Sequence, residues 1–221
     1  MISFKDGIGC CGKQEWGPIN RDYDGRMLPM KNLAFDFSSA QGGPLVLDVE
    51  TQYLSDEVPG GWGAVDKFLI AVVVTWDQRN GLRVWYEEDA GRLLAEAEQF
   101  EPIVTFNGEG FDFKVLSAYG SVAALYRKSA DILAVLSRQL GFRVKLDSLA
   151  QATLGKRKTG TGTESVDWWR SGDAAQRQKV VDYCKMDVEL TRDLYLFAKE
   201  HGYLLIQDVR QKAPRRVTVT W

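Results

Sequence analysis

The chain is poor in the residues that build thiolate-metal and disulfide scaffolds. It has three cysteines, one histidine and no CxxC pair in 221 residues. Cys10 and Cys11 are adjacent and hard to bridge to each other, and Cys184 lies in a helical segment, so no disulfide framework is expected. With His201 as the single histidine and no CxxC pair, a zinc site is not expected, and a reducing, cytoplasmic setting is the simplest expectation. Long apolar runs are also missing. The longest, FLIAVVVTW from Phe68 to Trp76, is about half of what a membrane helix needs. The N-terminal MISFKDGIGCCGKQEW has neither the basic nor the apolar region of a signal peptide. No membrane association is expected, and no internal repeat is present.

An excess of positive charge is absent too. The net charge of −2 argues against a strongly basic polyanion binder, but the distribution is uneven. From Leu125 to Lys158 there are eight basic residues (Arg127, Lys128, Arg138, Arg143, Lys145, Lys156, Arg157, Lys158) against Asp131 and Asp147. The tail VRQKAPRRVTVTW adds Arg210, Lys212, Arg215 and Arg216 without an acid. Such runs are more often solvated surface, yet they could form a polyanion-binding face beside a carboxylate-rich site. What is present is ordinary for a soluble globular protein: 45% hydrophobic and 26% charged residues. The length suits one large domain, or one domain with an appendage, and permits a sizeable core.

Residues 1–40 are rich in Gly, Asp and Asn and weakly periodic, and read as an N-terminal extension to a domain over 41–221. PLVLDVET, from Pro44, is a short apolar strand. QYLSDEVPGGWGAVDK is a loop punctuated by Gly and Pro, and FLIAVVVTW is a buried strand. LRVWYEE follows DQRNG as a hairpin partner, AGRLLAEAEQF is helical, and PIVTF returns to strand. NGEG is a turn leading into a helix at FDFKVLSAYG. SADILAVLSRQLG has helical spacing with Ser129 as a cap, and LDSLAQATLG is a short helix closed by Gly155. KRKTGTGTES has too many glycines and threonines for a helix and reads as a flexible basic loop. Strands first, then strands alternating with helices, give an α/β domain with a mixed sheet.

The last helical segment contains VVDYCKMDVELTRDLYLF. Tyr183, Asp187, Leu190 and Leu194 share one face, with Val180 and Cys184 beside them. Asp182, Lys185, Glu189 and Arg192 fall on the other side, as on a solvated face. Asp187 therefore stands where an apolar residue belongs, and burying an unpaired carboxylate is costly.

Two further places hold carboxylates that call for explanation. In LVLDVET, Asp48 and Glu50 are two apart on a strand and point to one face at its polar end. They repel unless protonated or bridged by cations, although a lone D-x-E is a weak signal. In VTFNGEGFDFKVL, Asp112 sits in the first turn of a helix, where an acid complements the helix dipole, but Phe111 and Phe113 flank it. Asn107 and Gly108 have a simpler reading as turn chemistry. Four acids from separate elements, without a histidine cluster, select Mg²⁺ or Mn²⁺ over zinc. Two such ions, about 3.5–4 Å apart, hold attacking and leaving oxygens in line, as phosphodiester hydrolysis requires. Tyr183, one turn before Asp187, would place a phenol where it could orient the attacking water.

LVLDVET, FNGEGFD and YCKMD resemble, in order, the three motifs of the DEDD superfamily of 3′-to-5′ exonucleases, which have a ribonuclease H-like fold. The tyrosine and aspartate four apart resemble the tyrosine branch; the other branch uses histidine in this motif, and His201 lies after Asp187. KLDSLAQATLGKRKTG is similar to the segment before the third motif in the exonuclease domains of family B DNA polymerases. The WW step at Trp168–Trp169 is similar to one in a predicted family of stand-alone or helicase-linked exonucleases. The resemblance runs from about Pro44 to Gly202 and weakly on to Trp221. It implies an α/β ribonuclease H-like fold, a mixed β-sheet flanked by helices, and two divalent cations, Mg²⁺ or Mn²⁺. It implies Asp48, Glu50, Asp112 and Asp187 as metal-binding acids, Asp48 bridging both ions and Asp112 acting partly through water. Tyr183 would position the nucleophile, and Thr51, Asn107 and Phe111 would touch the 3′ end.

The implied activity is release of nucleoside 5′-monophosphates from the 3′ end of single-stranded nucleic acid. DNA is favoured over RNA, and a helicase or a repair or replication protein is the expected kind of partner. Lys156, Arg157 and Lys158 are the expected phosphate contacts. Trp168 and Trp169 could stack bases, although pinning a lid helix to the core is the favoured role. Cys184 is most simply core and His201 a helix end. Two other readings stand beside the exonuclease: a non-catalytic nucleic-acid-binding module, and a structure-selective endonuclease.

Overall fold

The computed structural model describes residues 42–157, 162–207 and 214–221. In chain order, the strands β1 (Leu45–Thr51), β2 (Ile70–Asp77) and β3 (Gly81–Trp85) come first, with two short 3₁₀ turns between β1 and β2. Helix α1 (Ala90–Ala97), β4 (Ile103–Thr105), α2 (Asp112–Leu116), α3 (Ala123–Arg127), β5 (Ser129–Asp131) and α4 (Ile132–Leu140) follow. Then come α5 (Leu146–Leu154), α6 (Gly162–Arg170), the long α7 (Ala174–His201), β6 (Tyr203–Ile206) and β7 (Arg215–Thr218). The main sheet has the order β3-β2-β1-β4-β5. β1–β2 and β2–β3 are antiparallel, while β1–β4 and β4–β5 are parallel. It is the expected mixed sheet flanked by helices.

Side-chain alternation along the strands divides the interior in two. Val46, Val72, Val74 and Val104 face α4, α5 and α7, where Leu136, Leu149, Val188 and Leu194 complete one cluster. Leu45, Leu47, Val73 and Ile103 face the other way, toward Leu93, Phe113 and Leu116. Asp48 and Glu50 keep the parity of Val46, so the strand's first polar side chains point to the side on which α7 lies. A bulge between Glu50 and Thr51 ends the regular register with β2.

Helix α7 begins at Asp173, whose side chain accepts from the Gln176 N–H, and stops at Gly202 in the left-handed region. Tyr183, Cys184, Asp187, Leu190 and Leu194 are buried along it, while Asp182 and Glu189 are exposed. Arg192 departs from a plain solvated face. It pairs with Asp193 at 2.7 Å and lies over the Trp76 ring at 5.3 Å.

Two expectations change, and one element is added. Ser129 belongs to β5, and the cap of α4 is Asp131, whose carboxylate accepts from Ala134 N at 3.1 Å. An aspartate with extended backbone two residues later outcompetes the serine for that N–H. The glycine- and threonine-rich segment enters α6 already at Gly162, because packing of the following Ser165, Val166 and tryptophans overrides propensity. The basic tail also contains a strand. β7 pairs with β6, and Thr153 of α5 fastens that hairpin by donating to Leu205 O and accepting from Leu205 N, both at 3.0 Å. The N-terminal extension lies outside the described residues. Among the described residues, no helix is long and apolar enough to cross a membrane.

Candidate nuclease site

At the C-terminal end of β1, a cleft of about 710 Å³ opens between the β1–β2 loop, the turn after β4, and helices α6 and α7. Its lining includes Asp48, Glu50, Thr51, Asn107, Phe111, Asp112, Tyr183 and Asp187. Thus eight side chains singled out from the sequence meet in one place. Carboxylate oxygens of Asp48, Glu50 and Asp187 lie within 4.8 Å of one another. Asp187 and Glu50 are buried and Asp48 is half-buried.

Asp112 is not in that trio. Its Oδ1 accepts from the N–H of Val49, between the two β1 acids, at 2.8 Å. β4 pairs with β1 only at Leu45 and Val46, so β1 outruns its neighbour and the Asp112 carboxyl takes up a backbone donor beyond the ladder. Burial pushes the Asp112 carboxyl well above the usual carboxylate range, and the nearby charge of Asp48 raises it further.

The motif around Asn107 is a built turn. Asn107 has a left-handed φ of 77°, and its carbonyl accepts from Gly110 N and Phe111 N at 3.0 and 2.9 Å. Asp131 holds the turn from below, accepting from Asn107 N at 2.9 Å and Glu109 N at 3.0 Å. A Cβ at Gly108 would stand 2.4 Å from Thr105 Oγ1, so the turn tolerates no side chain there. Asn107 Oδ1 accepts from Arg143 at 2.8 Å, bringing one guanidinium of the basic segment to the cleft's edge.

Several contacts around the acids have no sequence signature. The Ser165 hydroxyl of α6, itself buried, donates to Glu50 Oε2. Cys184 Sγ lies 3.3 Å from Asp48 O and 3.4 Å from its Oδ2, so this thiol is a neighbour of the site as well as core. Burial and the charges of Asp48, Glu50 and Asp187 push that thiol far above its ordinary value, which keeps it protonated. Helix α6 is tied down by Arg170, which pairs with Glu57 and donates to Gln52 O at 3.1 Å. That pairing holds the Glu57 carboxyl below its ordinary value. Trp168 packs edge-on to Tyr183 at 6.4 Å, and Trp169 stacks on Tyr86 at 6.4 Å. Both tryptophans fasten α6 to the body of the protein.

Of the expected phosphate contacts, Lys156 and Arg157 are not part of the cleft lining. Lys156 pairs with Asp193 at 2.6 Å, and Arg157 donates to Gln151 at 2.5 Å. Lys158 lies outside the described residues.

A family model of the RNase H superfamily matches residues 45–198, from β1 through the two acids of β1 to the far part of α7. No curated protein sequence matches the chain. Among solved structures, the family B DNA polymerase from the hyperthermophilic archaeon Pyrobaculum calidifontis is similar, with a TM-score of 0.51 and 18% identity. The match covers 71% of this chain and 24% of the polymerase, so the chain spans about a quarter of that protein's length, and the likeness is one of fold. With a mixed five-stranded sheet, acids at the end of its central strand and a family match over most of its length, the chain belongs to the RNase H superfamily.

Proposed function

We propose that the protein is a two-metal-ion 3′-to-5′ exonuclease of the tyrosine branch, acting on single-stranded nucleic acid and releasing nucleoside 5′-monophosphates. Superfamily membership supports hydrolysis of nucleic acid. The observation that carries the finer reading is the convergence of Asp48, Glu50 and Asp187 within 4.8 Å, in a cleft that Tyr183 also lines.

The donor set fits hard dications: three carboxylates gathered at short range, with no histidine or thiolate completing the ligand set among the described residues. Asp48, Glu50 and Asp187 would hold Mg²⁺ or Mn²⁺, with Asp112 beside them. When bound, the ions offset charge on the phosphoryl oxygens and acidify the attacking water. The protein's own groups supply position. Asp112 fixes the backbone between the two β1 acids, Ser165 orients Glu50, and the Tyr183 phenol orients the water. Thr51, Asn107 and Phe111, all on the cleft wall, would hold the terminal nucleotide. DNA is favoured over RNA, and a helicase or repair protein that exposes a 3′ end is the partner class that suits this substrate.

The test is hydrolysis of 5′-labelled single-stranded DNA and RNA with Mn²⁺ or Mg²⁺, beside Asp187→Ala. A ladder shortening from the 3′ end, lost with EDTA and in the variant, is the expected result. Internal cutting of a circular strand would replace the reading with an endonuclease. Binding of either polymer without cleavage under both metals would replace it with a non-catalytic module.

A further inference from the structure

The β1–β2 loop carries a large aromatic side chain whose position the core does not explain. Val58, Ala64, Val65 and Phe68 of this loop are buried in the cluster on the outer face of the sheet and anchor it. Trp62, among them, is 71% exposed, more than any other large hydrophobic residue among those described. A single exposed apolar residue needs no explanation. Trp62 needs one because it lines the cleft that holds the carboxylates.

The indole is also held in place. Its ring lies 5.8 Å from Phe68, edge-on, and 6.2 Å from Phe111, and those two rings are themselves 6.2 Å apart. The backbone beneath it is a tight turn. Gly60 and Gly61 have φ of 99° and 52°, and a Cβ on them would meet Ala64 Cβ at 3.0 Å and Ser55 O at 3.3 Å. Gly61, Gly63 and Ala64 donate back to Val58, Gly60 and Gly61 carbonyls, each at 2.9 Å. Two left-handed glycines and a locked turn therefore present one rigid indole to solvent at the cleft. A pre-organised aromatic surface loses little entropy when it is covered.

The ligand that suits it is flat, has apolar faces and is joined to a phosphodiester that reaches the acids. Ser55 and Asp56, polar neighbours on the same lip, make a broad apolar protein contact a poor fit. We propose that Trp62 stacks on the base of the 3′-terminal nucleotide, so that the site selects ends whose last base is unpaired. This rests on the exonuclease reading. In a duplex the terminal base is already paired and stacked on one side, so it must fray before the indole can take it. Base–aromatic stacking is tolerant of sequence because every base has a π-face, so the selection is for strandedness rather than for a particular base.

The test compares the wild type, Trp62→Ala and Trp62→Phe on two 5′-fluorescein-labelled oligothymidylates. One ends in an ordinary 3′ nucleotide and the other in an abasic 3′ residue. Binding is followed by anisotropy in Ca²⁺, hydrolysis in parallel with Mn²⁺ or Mg²⁺, and folding by thermal melts. The wild type should bind the base-bearing end about ten-fold more tightly than the abasic one. Trp62→Ala should bind both at the abasic level, and Trp62→Phe should recover most of the difference. A Trp62→Ala variant that retains the wild-type preference for the base, or that weakens equally toward both probes, overturns the stacking role. Wild-type hydrolysis from the 3′ end together with either of those results leaves the exonuclease reading standing without Trp62. Trp62-dependent discrimination without hydrolysis keeps the stacking role and overturns the exonuclease. Failure of the wild type to bind either probe overturns both.

Discussion

Glu50 illustrates how much of a site rests on residues that carry no motif. Its carboxylate is buried at the end of β1 and receives the Ser165 hydroxyl from a helix that enters more than a hundred residues later in the chain. A carboxylate meant for a metal needs its orientation fixed, and outer partners of this kind are typically worth about 10–100-fold in metal affinity or activity. Ser165→Ala is therefore expected to raise the Mn²⁺ concentration for half-maximal hydrolysis about ten-fold, read from a metal titration of the rate. An unchanged titration would reduce the contact to packing. Tyr183 makes a different demand. Its ring is buried and braced by Trp168, so Tyr183→Phe preserves the packing and removes only the hydroxyl. If that hydroxyl orients the water, kcat falls about 10²-fold with KM nearly constant, a split that steady-state kinetics on single-stranded DNA resolves.

At the scale of elements, the loops that flank the cleft are tied by polar bridges as well as by core. Tyr119, after α2, donates to Glu87 at 2.8 Å and accepts from the Ile70 N–H at the start of β2 at 3.1 Å. Burial, with the Glu87 hydrogen bond, pushes its phenol up to about 12 from an ordinary 10.0. A folded-state value above the unfolded one adds stability that is complete below pH 10 and is lost as pH rises through about 12. Removing the hydroxyl also leaves the Ile70 N–H without its acceptor. Tyr119→Phe should cost about 1–3 kcal/mol at neutral pH. The gap between wild-type and variant melting curves should narrow between pH 10 and 12, and a gap independent of pH would separate the phenol's titration from its packing. What the sequence made legible at this scale were elements with strong periodicity: the apolar strands β1 and β2, and α7 with its buried face. Asp131 was hidden because its role is tertiary. It caps α4 and at the same time holds the Asn107 turn, whose partners lie 22 and 24 residues away. The β6–β7 hairpin was hidden because its strands are four residues each and one of them is largely exposed.

At the scale of the whole molecule, β1 is the middle strand of the sheet, and α7 packs across the face to which its acids point. The three clustered carboxylates come from these two elements alone, which are separated by most of the chain. Their convergence was legible in outline, since a carboxylate on an apolar helix face requires a partner, but the identity of that partner needed the fold. Three ionised acids at this range repel one another unless a cation or a proton intervenes, so without cations the cluster would oppose the docking of α7 on β1, and bound dications would reinforce it. Ligand that binds only the folded state stabilises by mass action, about 2.7 kcal/mol at a hundred-fold excess over Kd. For a chain of this length that corresponds to roughly 5–10 °C in Tm, taking 2–4 °C per kcal/mol. Mn²⁺ should therefore raise the melting temperature of EDTA-treated protein by that amount, with sodium chloride at equal ionic strength as the control for screening. Asp48→Asn and Asp187→Asn should each lose the Mn²⁺ shift while melting no lower than wild type in EDTA, because each relieves repulsion. A Mn²⁺ shift that survives both substitutions would place the ion elsewhere and detach the cluster from metal binding.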